Sequence, residues 1–414
     1  MKTKPPIIIL GADSLTGLQT ARILWRRHVP VIGVADNPQA PFCRTRAAVQ
    51  IVPFADIAGD PQPLFRELRA QYGLRPVVLA CTDPFAWWLN DHREAISEEA
   101  DFLLPPSNSL RLLADKVQFY RHAIEHKLPL PETRFATNTD ELEQAACEMT
   151  FPLLLKPPRR TPEWLDATRG FKVLKIHDAD TLRREGPTLL SVAGELILQS
   201  WVPGSDANMY SLYICMDRQS EPLATVVAQK TRQWPPDIGS GSLAVEVRED
   251  AVVNTGLKIL QSLGYAGVGS FQFKKDAVSG QFYIIEMNAG RAALNFPLCE
   301  ICGVEMVYTY YCAAAGLPLP ENRTVTRPGG KWICWKTDLA SALAHWKRGD
   351  LTVREWLASI RGHKWVADVQ LDDLLPLLAD TARKIKAGIS GPVRAVFLNR
   401  TNRTPPAAKS AQGM

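Results

Sequence analysis

The sequence predicts a chain of several units, a parallel α/β layer at the amino terminus followed by mixed α+β structure. Three observations predict this. Residues 5–105 alternate short apolar runs with amphipathic stretches, the middle of the chain carries strand-like segments joined by turn residues, and after Pro318 tryptophans and basic residues take over. A length of 414 residues exceeds what one hydrophobic core ordinarily organises, so about two to four domains are expected.

The elements follow in order. Ile7 to Leu10 reads as a buried strand, Thr16 to Arg27 as an amphipathic helix, Val29 to Ala35 and Val77 to Cys81 as further strands. Alternation of this kind makes a parallel sheet with right-handed crossovers. The loop Gly11 to Gly17 joins the first strand to its helix but lacks the GxGxxG spacing of a dinucleotide site. Pro105-Pro106-Ser107 opens a second unit, in which Ser109 or Asp115 caps the helix carrying Lys116 and Tyr120. Phe151 to Leu155 is an apolar strand that delivers Lys156; residues 159–170 read as a loop, Gly170 to Val173 as resumed strand, and Glu195 to Val202 as a further strand.

Met209 to Met216 and Leu223 to Lys230 read as strands, Gln233 to Ser242 as an irregular Pro/Gly stretch, and Ala251 to Leu263 as a helix. Phe271 to Lys275 and Gln281 to Met287 form a hairpin about Asp276 to Gly280. Beyond Pro318, Trp332, Trp335, Trp346 and Trp356 accompany basic helices, and the polar tail from about Asn399 reads as disordered.

Composition excludes several classes. A net charge of +5 is too diffuse for a nucleic-acid interface, and no apolar run is long enough for a membrane span. The eight cysteines are scattered, as suits a reducing cytoplasm. Cys299 and Cys302 form a CxxC with no second pair, and so read as buried small apolar residues.

The chemistry-bearing residues lie at strand ends. Glu286 and Asn288 are two positions apart, so both emerge on one face of their strand as oxygen donors for a hard cation such as Mg²⁺. Lys116 and Lys156 offer compact positive charge for phosphate oxygens. Lys230 and Arg232 alternate on one strand, where both address one anion.

In that order, Asp115-Lys116-Val117-Gln118-Phe119-Tyr120, Leu154-Leu155-Lys156-Pro157, Gln199-Ser200-Trp201-Val202-Pro203-Gly204, Lys230-Thr231-Arg232-Gln233-Trp234 and Ile285-Glu286-Met287-Asn288 resemble the ATP-grasp superfamily. More narrowly the chain resembles predicted carboxylate–amine ligases related to D-aspartate ligase. The resemblance spans about residues 7–318. It implies an ATP-grasp fold divided into a pre-ATP-grasp α/β domain (1–105), two ATP-grasp subdomains (106–205 and 206–320), a Trp-rich helical extension (321–398) and a tail (399–414).

The resemblance also implies roles. Lys116, Lys156 and Lys172 would bind phosphates, with Lys172 in a loop where Arg159, Arg160 and Arg169 replace the usual glycines. Gln199 and the backbone of Trp201 and Val202 would read adenine, and Asp206 the ribose. Lys230, Arg232 and Arg291 would serve the acid substrate and its acyl phosphate; Arg291 stands one position later than the pattern's arginine. Glu286, Asn288 and Gln272 would hold the metal, Gln272 replacing an acid. The implied activity is amide formation from a small carboxylate and a small amine with ATP and Mg²⁺, Mn²⁺ being an acceptable substitute, in a cytoplasmic enzyme compatible with a homo-oligomer. Gln272 motivates an alternative, a nucleotide-binding protein without turnover.

Overall fold

The computed structural model describes residues 4–159 and 161–386; Arg160, the end of the extension and the tail lie outside the described residues. Strands β1 (Ile7–Leu10), β2 (Val31–Ala35), β3 (Gln50–Pro53) and β4 (Val77–Ala80) form a parallel sheet in the order β3-β2-β1-β4. Every residue of β1, β2 and β4 is buried, which is why these strands read as continuous apolar runs. Alternate residues of β1 enter different cores, Ile7 and Ile9 on one face, Ile8 and Leu10 on the other. The helix Leu15–Trp25 follows, its first turn capped by Ser14, whose Oγ accepts from the Gly17 N–H at 2.9 Å. Only glycine fits at position 17, because a Cβ there would lie 2.2 Å from the Gly11 carbonyl oxygen.

A second sheet holds β5 (Thr133–Ala136), β6 (Leu153–Lys156), β7 (Leu174–Ile176) and β8 (Leu196–Ser200) in the antiparallel order β5-β8-β6-β7. The helices Thr139–Glu148 and Ala179–Ala193 supply Leu142, Leu182 and Leu189 to a core that this sheet completes with Leu155 and Leu198. The stretch 159–170, expected to be a loop, contains a short helix, Pro162–Ala167. Its signals are local: Thr161 caps the Trp164 N–H at 3.2 Å, and Pro162 occupies the first turn.

The third sheet contains β9 (Met209–Met216), β10 (Pro222–Trp234), β11 (Ser240–Glu246), β12 (Gly267–Lys275), β13 (Phe282–Asn288), β14 (Lys331–Ile333) and β15 (Lys364–Val366), in the order β13-β12-β9-β10-β11-β14-β15. All its pairings are antiparallel except β14 with β15. The expected irregular stretch from Gln233 to Ser242 is instead a tight connection: β10 runs to Trp234 and β11 begins at Ser240. The turn demands glycine at 239, where a Cβ would lie 2.1 Å from the Trp234 carbonyl carbon.

The extension is not helical alone, because β14 and β15 close one edge of the third sheet. Trp332 and Trp365 bury into the same core as Ile7 and Ile9. A buried ion pair fastens the extension to the amino-terminal unit: the Arg22 Nε donates to Asp373 at 2.8 Å, both side chains having no exposure. Thr45 Oγ1 and the Arg46 N–H also donate to that carboxylate, at 2.6 and 3.1 Å, so its lone pairs are satisfied.

Candidate active site

A cavity of about 710 Å³ opens between the second and third sheets and reaches the carboxyl end of β4. Lys116, Lys156, Lys172, Gln199, Trp201, Val202, Lys230, Gln272, Glu286, Asn288 and Arg291 all line it; Arg232 and Asp206 do not.

β6 ends at Lys156 and carries its side chain inward, where it is buried. The Nζ donates to Gln199 Oε1 at 2.6 Å and to Tyr120 Oη at 3.4 Å. Burial pushes the ammonium pKa down to about 7; Glu286 opposes the shift and Lys116 adds to it. Tyr120 in turn donates to the Ile285 carbonyl at 2.6 Å, tying the helix Lys116–Glu125 to β13. The Asp115 cap starts that helix by accepting from the Gln118 N–H at 3.0 Å.

β12 and β13 pair so that Gln272 lies opposite Glu286 and Ser270 opposite Asn288. Cross-strand neighbours of this kind touch directly. Gln272 Nε2 donates to Glu286 Oε1 at 3.0 Å, and Lys230 Nζ donates to Gln272 Oε1 at 2.8 Å. Lysine only donates and a carboxylate only accepts, which dictates the orientation of the amide. Burial also lowers the Lys230 pKa, against the pull of Glu286 and Asp206. Asn288 Nδ2 donates to Ser270 Oγ at 3.2 Å, and its Oδ1 accepts from Arg291 Nη2 at 2.6 Å.

For a divalent cation, Glu286 is the carboxylate of the set and Asn288 Oδ1 a second oxygen beside it. Among the described residues no three His, Cys, Asp or Glu side chains gather into a metal group. Such a sparse set fits a Mg²⁺ that arrives with phosphate oxygens of its own. Gln272 Oε1 and Asn288 Oδ1 each already accept one hydrogen bond, from Lys230 and Arg291, which leaves each amide oxygen a second lone pair.

Three expectations are corrected by geometry. Arg232 was paired with Lys230 on one strand face, but a register shift between Lys230 and Arg232 breaks the alternation. Arg232 is buried and forks onto Asp338, Nε to Oδ1 and Nη2 to Oδ2 both at 2.9 Å, with Nη1 on Ser359 Oγ at 2.8 Å. Asp206 is buried too, accepting from the Gln233 N–H, Gln233 Nε2 and the Asp237 N–H at 2.8–2.9 Å, and from His345 Nε2 at 3.3 Å. It brackets the loop to β11 rather than facing the cavity. The Trp201 N–H donates to the Pro152 carbonyl at 3.0 Å, which removes it as an adenine reader.

Lys274 is a lining residue that the sequence reading missed. It sits two positions beyond Gln272, and Phe271 and Phe273 between them are fully buried on the other face, so the period-two rule marks Ser270, Gln272 and Lys274 as one face. Burial drives its pKa down to about 8, and its Nζ lies 3.8 Å from the centre of the Trp201 ring. Cys299 and Cys302 are buried, and burial pushes the Cys302 thiol up to about 12.

Two sheets closing on a cavity walled by lysines and a strand-end acid, with a parallel α/β unit at its mouth, make up the ATP-grasp fold. A family model of the carbamoyl-phosphate synthase L chain ATP-binding domain matches residues 240–322. D-aspartate ligase of Enterococcus faecium (strain Aus0004) is a relative, 25% identical over 318 residues that cover 69% of this chain and 74% of the ligase. Among solved structures, N5-carboxyaminoimidazole synthetase from Staphylococcus aureus complexed with ADP superposes with a TM-score of 0.60 at 15% identity, over 79% of this chain and 81% of that one. The biotin carboxylase–β-γ-ATP complex from Campylobacter jejuni gives a TM-score of 0.60 at 14% identity, over 80% and 75%. At these identities the structural likeness is one of fold.

Proposed function

We propose that the chain is an ATP-dependent ligase that joins a carboxylate to an amine and releases ADP. The observation that carries this reading is the shared cavity wall of Lys156 and Glu286, a cation and an anion brought from separate sheets. The D-aspartate ligase relative supports it, because the relative's name denotes ligation of an amino acid.

In this reading the substrate carboxylate attacks the γ-phosphorus of ATP. The bond to ADP breaks and an acyl phosphate forms. The amine then attacks the acyl carbon, expels phosphate, and loses a proton as the amide appears. Lys116 and Lys156 neutralise phosphate oxygens, and Lys230 and Arg291 face the acid and its acyl phosphate. Such chemistry is mainly alignment and charge neutralisation. Mg²⁺, when bound with the nucleotide, would sit against Glu286 and Asn288 and offset the remaining phosphate charge. The unpaired state of all eight cysteines supports a reducing, cytoplasmic setting. No helix among the described residues is long and apolar enough to cross a membrane.

The test is ADP release from purified protein with ATP, Mg²⁺ and a matrix of small acids and amines. Release that requires both partners supports ligation. Nucleotide binding without release in any mixture favours the second reading, a binding protein without turnover, which the engaged Gln272 amide motivates.

A further inference from the structure

Apolar surface is spread unevenly over this molecule. Among the described residues fourteen large apolar side chains stand exposed, and ten of them lie between 339 and 385, in the Trp-rich extension. On the helix Trp335–Arg348, Leu339, Leu343 and Trp346 follow spacings of four and three and so share one face, while Asp338, Ser341 and Ala342 are buried on the other. The helix Leu375–Lys386 repeats the arrangement. Leu375, Leu378 and Ile385 are 59%, 59% and 76% exposed at spacings of three and seven, opposite the buried Asp380. Val353 and Leu357 form a third exposed pair on the helix Val353–Ser359. A surface helix ordinarily turns its apolar face toward the core, and apolar patches left outside mark interaction surfaces.

Polar contacts keep these helices from rolling over to hide their leucines. Lys336 Nζ donates to Asp380 Oδ2 at 2.6 Å and Trp356 Nε1 to Asp338 Oδ2 at 3.0 Å, which holds the three helices together. The buried pairs Arg22–Asp373 and Arg232–Asp338 fasten them to the rest of the chain. Charge indicates what covers the exposed face. Between residues 331 and 386 the acids turn inward: Asp338, Asp368, Asp373 and Asp380 are buried. The acids left outside have donors of their own, Asp350 facing His345 at 3.6 Å, Glu355 capping Thr352, and Asp372 pairing with Arg26 at 2.8 Å. The bases turn outward. Lys347, Arg354 and Arg361 are exposed and form no ion pair among the described residues. Residues 383–414 add seven Lys and Arg with no Asp or Glu, more positive charge than the net +5 of the whole chain.

We propose that the extension is a docking surface for an anionic lipid leaflet. Its exposed leucines and Trp346 enter the headgroup region, and the lysines and arginines beside them meet lipid phosphates. Apolar side chains bordered by unpaired cations suit such an interface, where one group gains from leaving water and the other from the negative surface potential. A second copy of the chain would instead set like charge against like charge. A nucleic acid would satisfy the cations and leave the leucines in water. Docking of this kind is independent of the chemistry in the cavity.

The experiment is co-sedimentation of the full chain with vesicles of phosphatidylcholine alone or of equal parts phosphatidylcholine and phosphatidylglycerol. The mixed vesicles should bind on the order of tenfold or more tightly than the neutral ones, and added salt should weaken that binding. The double exchange Leu375→Gln and Leu378→Gln should lower the affinity about tenfold by removing apolar area. Lys347→Gln and Arg354→Gln should each lower it about fivefold. All four side chains are exposed, so the urea unfolding midpoint should not move in either variant. No binding to the mixed vesicles, equal binding to both compositions, or binding untouched by the leucine exchange would overturn the proposal. So would a lipid-free dimer that the leucine exchange breaks, because a second copy would then cover this face. Equally tight, leucine-independent binding to duplex DNA would overturn it as well.

Discussion

Two sets of buried cations in this molecule look alike in sequence and behave differently in structure. Lys156 and Lys230 in the cavity are held by neutral amides, Gln199 and Gln272. Arg232 and Arg22 outside it are held by carboxylates whose oxygens are fully engaged: Asp338 also accepts from Trp356 Nε1 at 3.0 Å and Ser242 Oγ at 3.2 Å, and Asp373 from Thr45 and Arg46. An amide orients a cation without cancelling its charge, so the cavity lysines remain able to attract an anion. A forked carboxylate cancels the charge, and the arginine becomes a fastener. The partner, more than the cation, decides whether a buried charge can serve a ligand.

The sharpest way to break this comparison is to remove one member of each set. Asp338→Ala strands the Arg232 guanidinium and should cost about 3–5 kcal/mol in a urea unfolding curve. Lys156→Met removes a buried charge whose hydrogen bonds go to an amide and a phenol rather than to a carboxylate, so stability should hold or rise slightly while ADP release falls on the order of 10²- to 10³-fold. If Lys156→Met unfolds the protein while Asp338→Ala leaves it intact, the division between binding charges and fastening charges is wrong.

Proton linkage offers the next largest effect. With its pKa near 7, Lys156 loses its charge as pH rises above neutrality in the ligand-free protein. Phosphates bind the ammonium form, so nucleotide binding must draw a proton from solvent at higher pH. Affinity should fall by up to about tenfold per pH unit above 7, a slope that Lys156→Met abolishes. Stability moves the other way. The unfolded lysine titrates near 10.4, so between pH 7 and that value the unfolded chain holds more protons at this site, and burial of Lys156 becomes less unfavourable as pH rises. Fluorescent-nucleotide binding and denaturation curves across pH 6–9 should therefore show opposite trends from this residue.

Gln272→Glu converts a member of the first set into the second. The new carboxylate would pair with Lys230 and crowd Glu286, from which the present amide stands 3.0 Å away. A divalent cation relieves that crowding, so half-saturating Mg²⁺ should fall about tenfold. An unchanged Mg²⁺ requirement would show that the cation does not sit beside this residue pair.

Much of the fold was legible because its strands are buried on both faces or alternate cleanly: β1 and β4 are continuous apolar runs, and β13 ends in the alternating pair Glu286 and Asn288. The short helix Pro162–Ala167 was hidden by its charged and proline-rich surroundings, and β11 by the glycines and serines that start it. Site residues were legible where regular strand alternation governs, as at Glu286 and Asn288, and illegible where a bulge rotates the chain, as at Arg232. Asp206 failed for another reason. Its partners Gln233, Asp237 and His345 are distant in sequence, and no local pattern announces that a carboxylate will be surrounded by donors.

That donor cluster supports the smallest prediction. Burial alone would raise the Asp206 pKa, but hydrogen bonds from His345, Gln233 and Asp237 outweigh it and hold the carboxylate below its ordinary range. The held loop matters because Asp237, Ile238 and Gly239 line the cavity, with Asp237 in a left-handed conformation at φ 72°. His345 comes from the extension, and its pKa is raised by Asp206 first, with burial opposing and Asp350 assisting; Arg348, which pairs with Asp237 at 2.9 Å, pulls it back down. A raised histidine pKa means that the ion pair contributes fully below the unfolded value of about 6.5 and is lost as pH climbs through the folded one. His345→Gln keeps a donor but not the charge. It should lower turnover about 2- to 10-fold at pH 6, the worth of one hydrogen bond, and have less effect at a pH high enough to remove the histidine's charge. A loss of equal size at both pH values would mean that the ring's shape, rather than its charge, holds the loop.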